Sequence, residues 1–168
     1  MTTATLPKRT RQLVGVEIFA IGNHTDSEGK SLSVTTADLA SIIEAFNAGI
    51  PDTVPVKFGH TSPGFNAQMV AEQLGVPPGL ITGEAGQGEG QILPGRVVQL
   101  SQQGGKLIAT FELLDPVARM IEDGLFRANS VEVLTEYKGR RMVLRAVALL
   151  GTELPALKDL APLQAAAM

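Results

Sequence analysis

A β-rich α+β fold, with an antiparallel β-barrel-like core and two to three surrounding helices, is what this sequence predicts. Three observations lead there. Six or so short runs rich in branched and aromatic residues recur along the 168-residue chain, most of them separated by glycine-bearing turns. Two stretches carry apolar residues at helical spacing instead. The regular strand-helix alternation of a doubly wound parallel sheet is absent from the pattern.

Leu13 to Ile21 is the first strand, closed by the turn signal Gly22-Asn23. Thr35 or Thr36 can cap a helix in which Leu39, Ile42, Ile43 and Phe46 share one face, and Gly49 and Pro51 end it. Thr53 to Gly59 is a short strand whose Pro55 suits an edge or a strand start, and it delivers His60 just past its end. Residues 75–95 hold seven glycines and three prolines, a composition that reads as a mobile surface loop, with a short helical piece from Ala67 to Leu74 before it. Gly95 to Leu100 and Lys106 to Leu113 form a hairpin through Gln102-Gln103-Gly104-Gly105, because glycine supplies the positive φ of a tight turn. Asp115-Pro116 opens a second helix with a cap and a first-turn proline, Val117, Met120 and Ile121 are its stripe, and Gly124 stops it. Ser130 to Leu134 then pairs through Lys138-Gly139 with Met142 to Leu150. The expected organisation is a flexible tail over residues 1–12, one domain over 13–160, and a flexible tail over 161–168.

Composition narrows the function classes. With 44% hydrophobic residues the chain is long enough to bury its own core. The lack of cysteine rules out a disulfide framework, a thiolate zinc site and a cysteine nucleophile. A net charge of -3 spread over both halves is unlike the basic footprint of a nucleic-acid binder. Neither a signal-peptide pattern nor an eighteen-residue apolar run is visible, which predicts a cytoplasmic protein off the membrane. No glycine-rich phosphate loop, calcium loop or HExxH pattern occurs, so no cofactor and no metal is expected.

Only two histidines are present. His24 lies among Asn, Thr, Asp and Ser and reads as a solvated loop residue. His60, at a strand-to-loop junction, can reach a cleft. Ser130 starts a strand, and a serine hydroxyl becomes nucleophilic only with a base in reach and a third group holding that base. Glu132, Glu112 and Asp115 are candidates for that third role. Strand alternation puts Glu132 on the same face as Ser130. Gly139-Arg140-Arg141 could supply an oxyanion donor or be a solvated hairpin tip.

The order of segments adds to these residues. Val56-Lys57-Phe58-Gly59-His60 is followed by a glycine-rich insertion, by Leu93 to Leu100, and by Lys106 to Phe111. Then come a helix, Asn129-Ser130-Val131-Glu132-Val133, and Leu144 to Gly151 with Pro155-Ala156. This order resembles the protease/scaffold proteins of Mu-like phages, a prohead maturation protease family related to the assemblin-like serine proteases of herpesviruses. The resemblance spans about residues 13–160, although each piece is short. It implies an assemblin-like β-barrel wrapped by helices and a serine endopeptidase with Ser130 as nucleophile, His60 as general base and Glu132 as the third group. It also implies scaffold and major capsid protein as substrates and partners, self-association into a homodimer as a further option, and the interior of the prohead in the host cytoplasm as the location. Val131 stands where many relatives have proline, and the sequence ends at Met168 where many continue into a helical scaffold segment. The rival expectation is a non-catalytic capsid-assembly, scaffold or head-decoration protein that keeps the protease fold.

Overall fold

The computed structural model describes residues 10–25, 29–59, 94–151, 155, 157 and 159–167. His60, the 75–95 loop (up to Leu93) and the helical piece proposed over Ala67–Leu74 lie outside the described residues. Those that are described form a β-rich α+β structure. A six-stranded sheet is assembled from β1 (Thr10–Ala20), β4 (Pro55–Phe58), β5 (Gly95–Gln103), β6 (Lys106–Leu114), β7 (Ala128–Tyr137) and β8 (Arg140–Leu150), in the order β1-β6-β5-β4-β8-β7. β2 (Gly22–Thr25) and β3 (Ser31–Val34) form a separate antiparallel pair. Two helices, α1 (Thr36–Asn47) and α2 (Asp115–Glu122), pack on the sheet, and a 3-10 turn spans Leu163–Ala165.

α1 forms where its apolar spacing predicts. Thr35 is the N-cap: its hydroxyl accepts from the Asp38 N–H, while the Asp38 carboxylate accepts from the Thr35 N–H at 2.8 Å, a reciprocal capping box. Leu39, Ile42 and Ala45 are buried against the sheet. Two contacts fix the helix to the start of β8. The Arg141 guanidinium donates to Asp38 Oδ1 at 2.5 Å, and the Ser41 hydroxyl donates to the Met142 carbonyl at 2.9 Å while accepting from its N–H at 3.1 Å. Burial raises the pKa of Asp38, but the hydrogen bonds from Thr35 and Arg141 outweigh it and hold the carboxyl below its ordinary value. α2 carries proline in its first turn, as the sequence indicates, and buries Val117, Met120 and Ile121. The expected cap is not formed: Asp115 is the first helical residue and its carboxylate pairs with Arg11 and Arg119, while Leu114 holds the N-cap position without a side-chain hydrogen bond.

The sheet departs from the antiparallel barrel in two ways. First, it is mixed: Val56, Lys57 and Phe58 of β4 pair in parallel with Val147, Ala148 and Leu149 of β8. A parallel partner needs a long crossover, so it cannot be read from neighbouring hairpins. Second, no backbone ladder joins the end strands β1 and β7. They are linked instead by a side chain, the buried Asn129 amide donating to the Glu17 carbonyl at 3.1 Å. Part of the outer edge of β1 is already occupied. β1 bulges between Leu13 and Val16, with Gly15 at φ 83°, and there Val14 exchanges backbone hydrogen bonds with Ala167 at 2.7 and 2.9 Å.

Residues from both expected tails belong to the fold. Thr10 to Gln12 already belong to β1, paired with Leu114 to Glu112. Within 161–168, Leu163 is fully buried in the core, and the Gln164 side-chain amide donates at 2.7 Å to the carbonyls of Ile121 and Phe126. Ile121 lies in the last turn of α2, where its carbonyl accepts from the Gly124 N–H at 3.0 Å, and Gln164 adds a second donor to it from a distant segment. The Ala161 N–H reaches Glu17 Oε1 at 3.2 Å, beside the Lys106 ammonium at 2.6 Å. The hydrogen bond from Lys106 is the main cause that keeps the Glu17 carboxyl below its usual range, against the opposing effect of burial. An alanine-rich sequence looks featureless, but one leucine and one glutamine anchor it.

His24 is not a solvated loop residue. It sits on β2, its Nε2 is 2.8 Å from the Ala20 carbonyl, and its ring lies 6.0 Å from that of Phe19. No helix among the described residues is long and apolar enough to cross a membrane.

Candidate functional site

β8 is the strand on which the site is built, since β4 flanks it on one side and β7 on the other. Its N-terminal half turns Met142 and Leu144 into the core cluster, and its C-terminal half turns Val147 and Leu149 there. The change from even to odd positions comes from a bulge: Val133 of β7 faces Leu144 while Glu132 faces Ala146, which leaves the exposed Arg145 as the extra residue. Beyond the bulge, Ala146 and Ala148 therefore lie on the face away from the core cluster.

On that face, one row across three strands reads Lys57, Ala148, Ser130, and the next pairs Ala146 with Glu132. Ser130 is half-buried, as are Lys57 and Glu132. The Lys57 ammonium meets Glu132 Oε2 at 2.7 Å. Since Lys57 belongs to β4 and Glu132 to β7, this ion pair crosses β8 above its two alanines. Small residues make the crossing feasible, because a longer side chain at either position would stand in its path. Ala146 and Ala148 are 3% and 0% exposed. The opposite face carries the apolar support: Val56, Phe58 and Val131 pack on the core, and the Phe58 ring stacks on Phe126 at 5.5 Å.

The chain leaves β4 at Gly59, whose N–H donates to the Leu149 carbonyl at 3.0 Å. Gly59 has φ 66°, a left-handed conformation that breaks the strand and that glycine adopts without strain. It thus follows the strand end that the sequence indicates before His60.

Of the sequence-derived candidates, Ser130 and Glu132 share this face. The other carboxylates are engaged elsewhere: Glu112 pairs with Arg96 at 3.2 Å, and Asp115 pairs with Arg11 at 2.7 Å and Arg119 at 2.8 Å. Arg140 and Arg141 lie at the far end of the β7–β8 hairpin. Arg140 faces Tyr137 in register, seven residues along β7 from Ser130, or roughly 23 Å at strand rise. Arg141 is committed to Asp38 and Arg140 approaches Glu44 at 3.8 Å, so neither is an oxyanion donor for Ser130. Lys57 is the residue that sequence reasoning passed over. Its place between Val56 and Phe58 signals a cation on the outer face of a strand, but only the β4–β8–β7 order shows that it reaches Glu132.

No family model matches the chain, and no curated protein or solved structure matches it either.

Proposed function

We propose that the protein is a serine endopeptidase of the prohead maturation type, similar to the protease/scaffold proteins of Mu-like phages, that cleaves scaffold and capsid protein during head assembly. One observation carries this reading: Ser130 shares a polar, half-buried sheet face with Glu132 and Lys57, in the row beside the point where β4 ends at Phe58, two residues before His60 in the chain. In the proposed chemistry His60 accepts the Ser130 proton as the hydroxyl attacks a peptide carbonyl, and later returns it to the departing amine. Glu132 is the proposed orienting carboxylate of His60, and its other role is the ion pair with Lys57. The finer fold assignment, an assemblin-like arrangement, belongs to the same proposal. It is supported by a six-stranded sheet whose end strands are bridged by Asn129 and by the helices packed on it.

The test is reaction of the purified chain with a fluorophosphonate probe, with mapping of the modified residue, alongside incubation with the cognate capsid and scaffold proteins. Ser130 should be labelled, and both Ser130→Ala and His60→Ala should abolish labelling and cleavage while leaving the circular dichroism spectrum intact. Full activity in Ser130→Ala would overturn the mechanism. An inert wild-type chain that still binds the capsid protein would favour the non-catalytic assembly role.

A further inference from the structure

We propose that Lys57 is the residue that stabilises the oxyanion formed when Ser130 attacks a substrate carbonyl, an inference that rests on the reading of Ser130 as nucleophile. Three features of the site converge on it. Lys57 and Ser130 occupy the same row on the same face, separated only by Ala148, and two strand spacings put their backbones roughly 10 Å apart. The Lys57 and Glu132 side chains together bridge that gap, which brings the ammonium within 2.7 Å of a carboxylate anchored on β7, two residues from Ser130 on the same face. An ammonium has three N–H donors and no acceptor, so contact with Glu132 is compatible with a further donation to a developing anion.

Stability is a poor explanation for this pair. The side chains of Lys57 and Glu132 are 34% and 21% exposed. Ion pairs of that exposure contribute little, and a partly buried pair can often be replaced by apolar residues without loss. Yet the strand beneath keeps alanine at both crossing positions, where larger apolar residues would bury more surface. Arg140 and Arg141, the cations that the sequence offered for the same task, are held at the other end of the hairpin. Lys57 supplies the positive charge that they cannot.

In the step concerned, the bond from Ser130 Oγ to the carbonyl carbon forms as the π pair moves onto oxygen, and the hydroxyl proton passes to the general base proposed above. When the pair returns, the C–N bond breaks and the base returns its proton to the leaving amine; water then releases the acyl group by the same sequence. The negative oxygen of each tetrahedral species is what the Lys57 ammonium offsets.

The test is the rate at which a fluorophosphonate probe modifies Ser130, where the Oγ–phosphorus bond forms, fluoride departs, and charge gathers on the phosphoryl oxygen. Lys57→Met should slow labelling on the order of 10²-fold, the usual cost of removing one oxyanion donor, with an unchanged melting temperature. Lys57→Arg should restore most of the rate. If Lys57→Met does not fold, Lys57→Gln, which keeps a polar tip, carries the comparison. Wild-type labelling at Ser130 with an equal rate in folded Lys57→Met would overturn this inference and leave the proposed function standing. Absence of Ser130 labelling in the wild type would overturn both.

Discussion

Asp38 offers the sharpest test of how α1 is held against β8, the strand that separates Lys57 from Ser130. Its side chain is 5% exposed and accepts three hydrogen bonds, from the Thr35 N–H at 2.8 Å, the Thr35 hydroxyl at 3.1 Å and Arg141 Nε at 2.5 Å. Asp38→Asn keeps the shape and removes the charge. A hydrogen bond to a charged group is worth about 1 kcal/mol more than a neutral one, so the two bonds from Thr35 together lose about 2 kcal/mol. Arg141 is 59% exposed, and solvent screening reduces its share to about 0.5 kcal/mol. For a chain of 168 residues, a loss of about 2.5 kcal/mol lowers the melting temperature by about 5–10 °C.

The pH dependence gives the sign. The folded carboxyl of Asp38 has a pKa below its unfolded value, so the unfolded chain binds the proton more readily. The contribution is therefore fully present above the unfolded pKa of about 3.9 and is lost as pH falls through the lower folded value. Thermal unfolding followed by circular dichroism should show the full gap between wild type and Asp38→Asn at about pH 7 and a smaller gap below about pH 3. A gap of equal size at both, or none at neutral pH, would refute the charge-based account.

Two further substitutions probe the frame of the site. Gly95 lies between β4 and β6, where an added Cβ would sit 2.6 Å from the Glu112 carbonyl oxygen and 2.5 Å from Leu113 Cδ2. Gly95→Ala should cost about 1–3 kcal/mol in urea unfolding and slow any Ser130-dependent labelling by displacing β4; an unchanged midpoint would contradict the packing. Leu163→Ala should cost about 2–5 kcal/mol, as a fully buried leucine does, and raise proteolysis after Leu160, whereas a free tail would make it silent.

The elements with local signals were legible. α1 begins at its threonine cap, α2 at its aspartate-proline, and the β5–β6 turn at Gly104-Gly105, because caps and positive φ are decided by residues a few positions apart. Strand alternation also put Ser130 and Glu132 on one face, and the Gly59 junction before His60 was visible as a strand end. Pairings over long separations were not legible. The parallel β4–β8 contact joins residues some ninety apart, and it alone brings Lys57 beside Ser130. The docking of 161–167 depends on the core that buries Leu163 and on the Ile121 and Phe126 carbonyls, which come together only once α2 and the sheet have formed.

The bulge at Arg145 shows where the division falls. From sequence, Met142 to Leu150 is apolar at every position but Arg145, and period-two alternation carried on from Met142 and Leu144 would place Ala146 and Ala148 in the core. One extra residue reverses that phase, sends Val147 and Leu149 inward, and leaves two alanines as the floor beneath the Lys57–Glu132 pair. Local chemistry in the sequence determined which side chains could act and which strands would carry them. The register of β8 against β7 and β4, set by packing over the whole sheet, decided which of them meet.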